Sequence, residues 1–407
     1  MPMDGRVSSI AAHQAQPLQP MTHNDPFDRR APSRRGVLRA ALAGAAGVIG
    51  APALAAPSSA PIVLGHPYPA SGAMAEAAGE MKFALDAAAA EINAQGGVRG
   101  RPLKLVSVDD AYEPQRCLAQ AKHLRANEGA VALVAPVGGP SLALLQPWAE
   151  ETRTPIIGPR SGAENQRGYH RWTFFNAASS GDEVAFIGKH LATIRALRFG
   201  VMFVANPTGS DLWQRLSAAS QPLGLQPVRA ESFAVDGKDA ARGVKAVLAQ
   251  TPDAVVVAGG GDGAVQVTRQ LLAAGLPAGR IYAMSLLHPA QVHRSLGAQA
   301  DGMVFSQVMP SPDDPKLALC ASYRKALQKL PDARLSAFGL EAYLSMQVAA
   351  RALQQVDDPA RGDAWVDALE RAGGLNAGGL RISFDKAQHR GTRFVELAIL
   401  SGGRLRR

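Results

Sequence analysis

The residues of this chain best placed to do chemistry are small ones. Residues 137–141 (Val-Gly-Gly-Pro-Ser) and 158–163 (Gly-Pro-Arg-Ser-Gly-Ala) form two short loops. Each follows a run that reads as a β-strand, at 131–134 and 155–157, and residues 142–152 between them have helical apolar spacing. A parallel strand–helix–strand unit brings both post-strand loops to one edge of a sheet. Their bare amide N–H groups suit an anion without any charged side chain. No G-x-S-x-G, G-x-x-x-x-G-K-[ST] or H-E-x-x-H motif occurs, so no hydrolase, nucleotidase or zinc-peptidase signature is present. The nine histidines form no ligand cluster in the sequence. Beyond the leader, His288 and His293 are the nearest pair, at a spacing poor for one helix face, and no metal is expected. Residues 255–264, VVVAGGGDGA, satisfy strand, G-x-G-x-x-A, helix. A dinucleotide site also wants an acidic residue about twenty positions on, where Met284-Ser285-Leu286 stand instead. No cofactor is expected.

The elements that position these loops alternate along the chain. Strand-like runs at 62–65, 103–108, 131–134, 155–157 and 171–175 are interleaved with helical patterns at 72–95, 114–127 and 142–152. A second series follows, with strands at 199–204, 227–233, 254–257, 281–284 and 303–305 and helices at 211–220, 238–250 and 263–274. Helices are then expected at 316–330, 336–355 and 363–372. The chain ends in an expected strand pair, 380–384 with 393–400. Two successive βα series of similar size imply an α/β fold of two doubly wound, mainly parallel lobes. Ligands of such pairs sit between the lobes, at the strand C-terminal ends.

Composition agrees with this. At 407 residues and 47% hydrophobic the chain is too long for one ordinary domain, and about two domains of roughly 150 residues are expected. The net charge of +9 is scattered, with no basic run interleaved with aromatics, so nucleic acid is not an expected partner. Cys117 and Cys320 both fall in helical patterns; two free buried thiols or one disulfide fit.

The N-terminus reads as an address. Ser33-Arg34-Arg35-Gly36-Val37-Leu38-Arg39 resembles the twin-arginine export motif, an Ala/Gly-rich stretch follows, and Ala53-Leu54-Ala55 fits a cleavage site. Residues 1–55 are therefore expected to be removed on export to the periplasm.

Several segments together resemble the type I periplasmic binding proteins, in the branch serving branched-chain amino acid (Leu/Ile/Val) ABC transporters. They are Pro69-Ala70-Ser71-Gly72, residues 91–103 (EINAQGGVRGRPL), Asp109-Asp110-Ala111-Tyr112-Glu113-Pro114, residues 154–159 (TPIIGP), residues 338–343 (FGLEAY) and residues 393–397 (RFVEL). The resemblance implies two lobes joined by three crossovers, near Asn176, near Gln307 and at 390–394. Residues 56–176 and 308–390 would form the first lobe, and 177–307 with 391–407 the second. It further implies an exported, non-enzymatic, monomeric substrate-binding protein that delivers a small carboxylate-bearing solute to an inner-membrane permease. A periplasmic sensor handing its loaded state to a receptor, or an enzyme on the same scaffold, are the alternatives.

By the same resemblance, Gly138-Gly139-Pro140-Ser141 and Arg160-Ser161-Gly162 match the loops that hold the ligand's carboxylate. Ser141 also stands where a helix N-cap is expected, which alone would account for it. The Arg160 guanidinium suits bidentate pairing with a carboxylate, and Ser71 would line the cleft. The second lobe departs from the amino-acid-binding pattern, carrying Thr208, Ser210, Gly260 and Ser285 where aromatics and a carboxylate are usual. Asp262 either replaces that carboxylate or caps a helix. A carboxylate ligand without an amine, aromatic or short-chain, then becomes as good a fit as an amino acid.

Overall fold

The computed structural model describes residues 60–407 apart from Ala73, Ala372 and Gly373. The expected export leader lies outside the described residues. The first lobe opens with β1 (Ile62–Tyr68), α1 (Ala75–Ala94), β2 (Leu103–Asp109), α2 (Pro114–Ala126), β3 (Ala132–Val134), α3 (Gly139–Thr152), β4 (Ile156–Ile157) and β5 (Thr173–Phe174). The second holds α4 (Ser180–Thr193), β6 (Arg198–Val204), α5 (Pro207–Ser220), β7 (Gln226–Phe233), α6 (Ala240–Leu248), β8 (Ala254–Ala258), α7 (Gly261–Ala273), β9 (Ile281–Ala283), α8 (Pro289–Leu296) and β10 (Val304–Gln307). The chain returns to the first lobe for α9 (Ala318–Leu327), α10 (Ala337–Leu353), α11 (Gly362–Arg371), β11 (Leu375–Ala377) and β12 (Leu380–Ile382). It ends in the second with β13 (Glu396–Ser401) and β14 (Arg404–Arg406).

The first sheet is parallel throughout, in the order β2-β1-β3-β4-β5. The second runs β14-β13-β10-β9-β8-β6-β7, and only the β10–β13 and β13–β14 pairings are antiparallel. Strand β8 shows why these sequences make central strands. All five of its residues are buried, with Val255 and Val257 in the core beneath α6, α7 and α8. Ala254, Val256 and Ala258 join Val184, Ile187 and Leu216 of α4 and α5 on the opposite face. Side chains alternate across a strand, so an unbroken β-branched run needs helices on both faces, which is the doubly wound arrangement.

Three crossovers join the lobes: β5 into α4, β10 into α9, and the segment 383–395 into β13. Two of them run side by side, since the Phe175 N–H donates to His389 O (2.9 Å) and the Gly391 N–H to Phe175 O (2.7 Å).

Some expectations change. The pair 380–384 with 393–400 does not form: β12 pairs with β11, and β13 lies between β10 and β14. Leu380 and Ile382 serve the first lobe's core, whereas Leu400 serves the second's. Helix α3 begins at Gly139, three residues early, because Pro140 is accepted in a first turn whose N–H groups have no intrahelical partner. Helix α4 was not legible from apolar spacing, yet it carries a capping box between Ser179 and Asp182. Cys117 and Cys320 are both free and buried. Burial raises both thiols, Cys320 to about 11.

Candidate functional site

The two lobes meet around a cavity of about 60 Å3. Its walls are the loops after β1, β2, β3 and β4 from the first lobe and after β6, β7, β8 and β9 from the second. Met74, Gly138, Asn206 and Gly260, the N-cap residues of α1, α3, α5 and α7, all line it. A helix N-terminus presents unsatisfied N–H groups and about half a positive charge. Asn206 covers part of its own helix end by accepting from the Gly209 N–H (2.9 Å). The caps Met74, Gly138 and Gly260 make no side-chain cap bond, but backbone carbonyls cover part of two of these ends: the Ala75 N–H of α1 donates to Gly72 O (3.1 Å) and the Gly263 N–H of α7 to Val235 O (3.1 Å). Val137, Val204, Val235 and Leu286 add apolar surface, Ser161 and Thr208 add hydroxyl side chains, and Tyr112 stands at one side. Among the described residues no carboxylate lines the cavity, and Arg160 is its one cation.

Local sequence explains the close approach of these loops. Gly138 has φ +106°, and a Cβ there would lie 3.0 Å from the Tyr112 ring. Gly158, at φ +61°, packs so tightly that a Cβ would come within 2.0 Å of Ser345 Oγ, which receives the Asn176 amide at 3.0 Å. Across the cleft, a Cβ on Gly139 would stand 2.7 Å from Thr208 Oγ1.

Of the residues singled out from the sequence, Gly139, Arg160, Ser161, Gly162, Thr208 and Gly260 line this one cavity. Arg160 is already engaged. It is 7% exposed, pairs with Glu341 of α10, donates to Ser285 O of the other lobe (2.8 Å) and lies 4.0 Å above the Phe338 ring. It therefore ties the loop after β4 to the loop after β9, and only its buried Nε lacks a partner. Ser161 Oγ donates to Gln166 Oε1 (2.6 Å), whose Nε2 donates to Gly139 O (2.5 Å), so one glutamine holds both first-lobe loops in register.

Three others do not line the cavity. Ser71 is exposed and donates to Asp109 Oδ2 (3.0 Å). Ser141 is buried as the third residue of α3, not its cap, with its hydroxyl against the Cys117 thiol. Ser285 donates from both Oγ (2.9 Å) and N–H (2.8 Å) to the buried Glu183 carboxylate, which also receives Ser306 Oγ. Desolvation raises the Glu183 carboxyl; the hydrogen bonds from Ser306 and Ser285 and the charge of Arg160 offset part of that. Asp262 is exposed, accepts from Gln291 (2.7 Å) and stays outside the cavity, as does Ser210.

Sequence reasoning passed over Met74, Tyr112, Asn206 and Leu286. Asn206 was findable: Asn before Pro207 is an N-cap followed by a proline suited to the first turn. Met74 and Leu286 carry no local signal. Further out, His288 Nε2 meets Glu80 Oε2 across the lobes at 2.7 Å, both side chains buried, with Glu76 one turn away on α1. His288 Nδ1 accepts from the Gln291 N–H (3.4 Å), which leaves Nε2 as the donor to Glu80.

The chain belongs to the periplasmic binding protein family, which it matches over residues 61–404. An "Amino acid binding protein" of Pseudomonas aeruginosa is 26% identical over 249 residues, 60% of this chain and 64%, or under two thirds, of that protein's length. An extracellular ligand-binding receptor from Verminephrobacter eiseniae superposes with a TM-score of 0.79 at 23% identity, covering 85% of this chain and 99% of that one. A possible leucine/isoleucine/valine-binding protein from Rhodopirellula baltica gives 0.78 at 24%, covering 86% and 96%. Family membership implies solute binding and a periplasmic location. No helix among the described residues is long and apolar enough to cross a membrane.

Proposed function

We propose that this chain is the exported substrate-binding protein of an ABC importer, and that its solute is a small carboxylate without an ammonium group. The observation that carries this is the convergence of four helix N-termini on an interlobe cavity lined by no carboxylate. Such a site stabilises an anion through backbone N–H groups and helix dipoles. It offers an α-ammonium no counter-charge, and a desolvated, unpaired ammonium costs several kcal/mol. At about 60 Å3 the space holds about two waters at roughly 30 Å3 each, so a short-chain acid fits with least opening and an aromatic acid needs more.

In this reading residues 56–176 and 308–390 act as one jaw, and 177–307 with 391–407 as the other. The protein works as a monomer, exported by the twin-arginine route, and closes on its solute by equilibrium binding before docking on an inner-membrane permease. No reaction is catalysed. The relative named for amino acid binding favours a second reading, an α-amino acid ligand. Thermal shift of ligand-stripped protein separates the two. At a hundredfold excess over Kd the true ligand class adds about 2.7 kcal/mol, or about 3–5 °C in Tm. Simple carboxylates are expected to give that shift and their α-amino counterparts to give little; the reverse order overturns the ammonium-free reading.

A further inference from the structure

A second cavity, of about 400 Å3, opens on the far side of a side-chain partition from the cleft. The partition is a stack: the Arg160 guanidinium lies 4.0 Å from the Phe338 ring centre, and the His288 ring stacks on Phe338 at 5.0 Å and 21°. Arg160 lines the cleft, whereas Phe338 and His288 line the second cavity. Its walls come from both lobes, with Leu335 and Phe338 at the start of α10, His288 and Ala290 at the start of α8, and Ala398 and Leu405 on β13 and β14.

The charges around it are unequal. Arg407 bridges Asp314 (2.8 Å) and Glu396 (2.6 Å), one positive charge held between two negative ones. Lys316, Arg404 and Arg406 on the lining have no ion-pair partner among the described residues, and with the exposed Asp313 the lining carries four cationic side chains against three carboxylates. Below that cationic rim the floor is apolar, and Leu335 remains 44% exposed for want of a covering group. The volume falls within the range of small-molecule sites, about 300–1,000 Å3.

We propose that this cavity is a second ligand site, for an amphipathic organic anion. Its aromatic or aliphatic body lies on Phe338 and Leu335, and its anionic group meets Lys316, Arg404 and Arg406. Because the walls belong to both lobes, an occupant binds the closed arrangement better than the open one. It therefore tightens the cleft for its own solute, and the solute tightens this site by the same factor.

The probe is 1-anilinonaphthalene-8-sulfonate, an aromatic anion that fluoresces on leaving water. It is expected to bind the folded, ligand-stripped full-length chain saturably, at one site. Filling the cavity with Ala290→Trp, or reversing the rim with Arg404→Glu and Arg406→Glu together, is expected to weaken it at least tenfold while circular dichroism stays native. Lys122→Glu, a charge reversal on the exposed face of α2 away from both cavities, is expected to leave it unchanged. Absence of saturable binding overturns the proposal. So does affinity unaltered by both the filled and the charge-reversed variants, and so does an equal loss in Lys122→Glu, which would make the binding a non-specific charge effect.

Discussion

Gly139 stands opposite Thr208 of the other lobe at the cavity, and it is glycine for want of room rather than for a special backbone angle. In Gly139→Val the branched side chain meets Thr208 Oγ1, 2.7 Å from where its Cβ would sit. The variant is expected to fold, since this is the first residue of α3, but to bind its solute at least tenfold more weakly, about 1.4 kcal/mol or more. Unchanged affinity by calorimetry would remove Gly139 from the closing surface. The glycine loops were readable because small residues after a strand have one obvious use. The partners of Arg160 were not, since Glu341 lies 181 positions away and Ser285 lies 125. Such pairs are set by the fold, and a lone loop arginine reads as a free cation until its buried carboxylate is seen.

At the scale of elements, the site is a meeting of helix starts, and the lobes are held over it by contacts between elements of different lobes. The pair His288–Glu80 joins the start of α8 to α1. Removing the imidazole in His288→Ala leaves the Glu80 carboxylate buried without that donor, a cost of about 1–3 kcal/mol, and it falls on the closed arrangement only. Solute affinity is expected to drop about tenfold. Scattering of the loaded protein should show a larger radius of gyration than wild type, while Glu80→Gln, which keeps an acceptor, loses less. Equal affinity and equal radius in His288→Ala would show that the pair does not hold the lobes. Element type was legible wherever apolar periodicity ran long, as in α1 and β8. Pairing was harder: β12 and β13 each alternate correctly, but nothing local records that one belongs to each lobe. Helix α4 was missed although Ser179 and Asp182 wrote its start plainly.

For the whole molecule, His66 links folding to pH. It sits fully buried in β1, donates from Nδ1 to Val134 O (2.8 Å), and its Nε2 has no partner. Burial pushes its pKa down from 6.5 to about 4, only partly offset by that backbone bond. The fold therefore holds the imidazole neutral, and an unfolded chain takes up its proton first as pH falls. The resulting stability is complete above pH 6.5 and is lost as pH falls toward 4, in total about 3 kcal/mol. In His66→Leu the fall of Tm between those pH values is expected to be shallower than in wild type; parallel curves would contradict the assignment. At this scale the order of strands and helices already announced two lobes and a cleft. The ligand was not announced, because specificity rests on what is missing from a cavity whose walls come from distant parts of the chain.

That absence is tested most directly by titrating ligand-stripped protein with matched pairs differing only in the α-ammonium: propanoate and alanine, 4-methylpentanoate and leucine, 3-phenylpropanoate and phenylalanine. Calorimetry is predicted to show micromolar or tighter binding for the acid of at least one pair, and at least tenfold weaker binding for its amino partner. Equal or tighter binding of the amino acids, or no binding by any acid, would contradict an anion site built from converging helix N-termini.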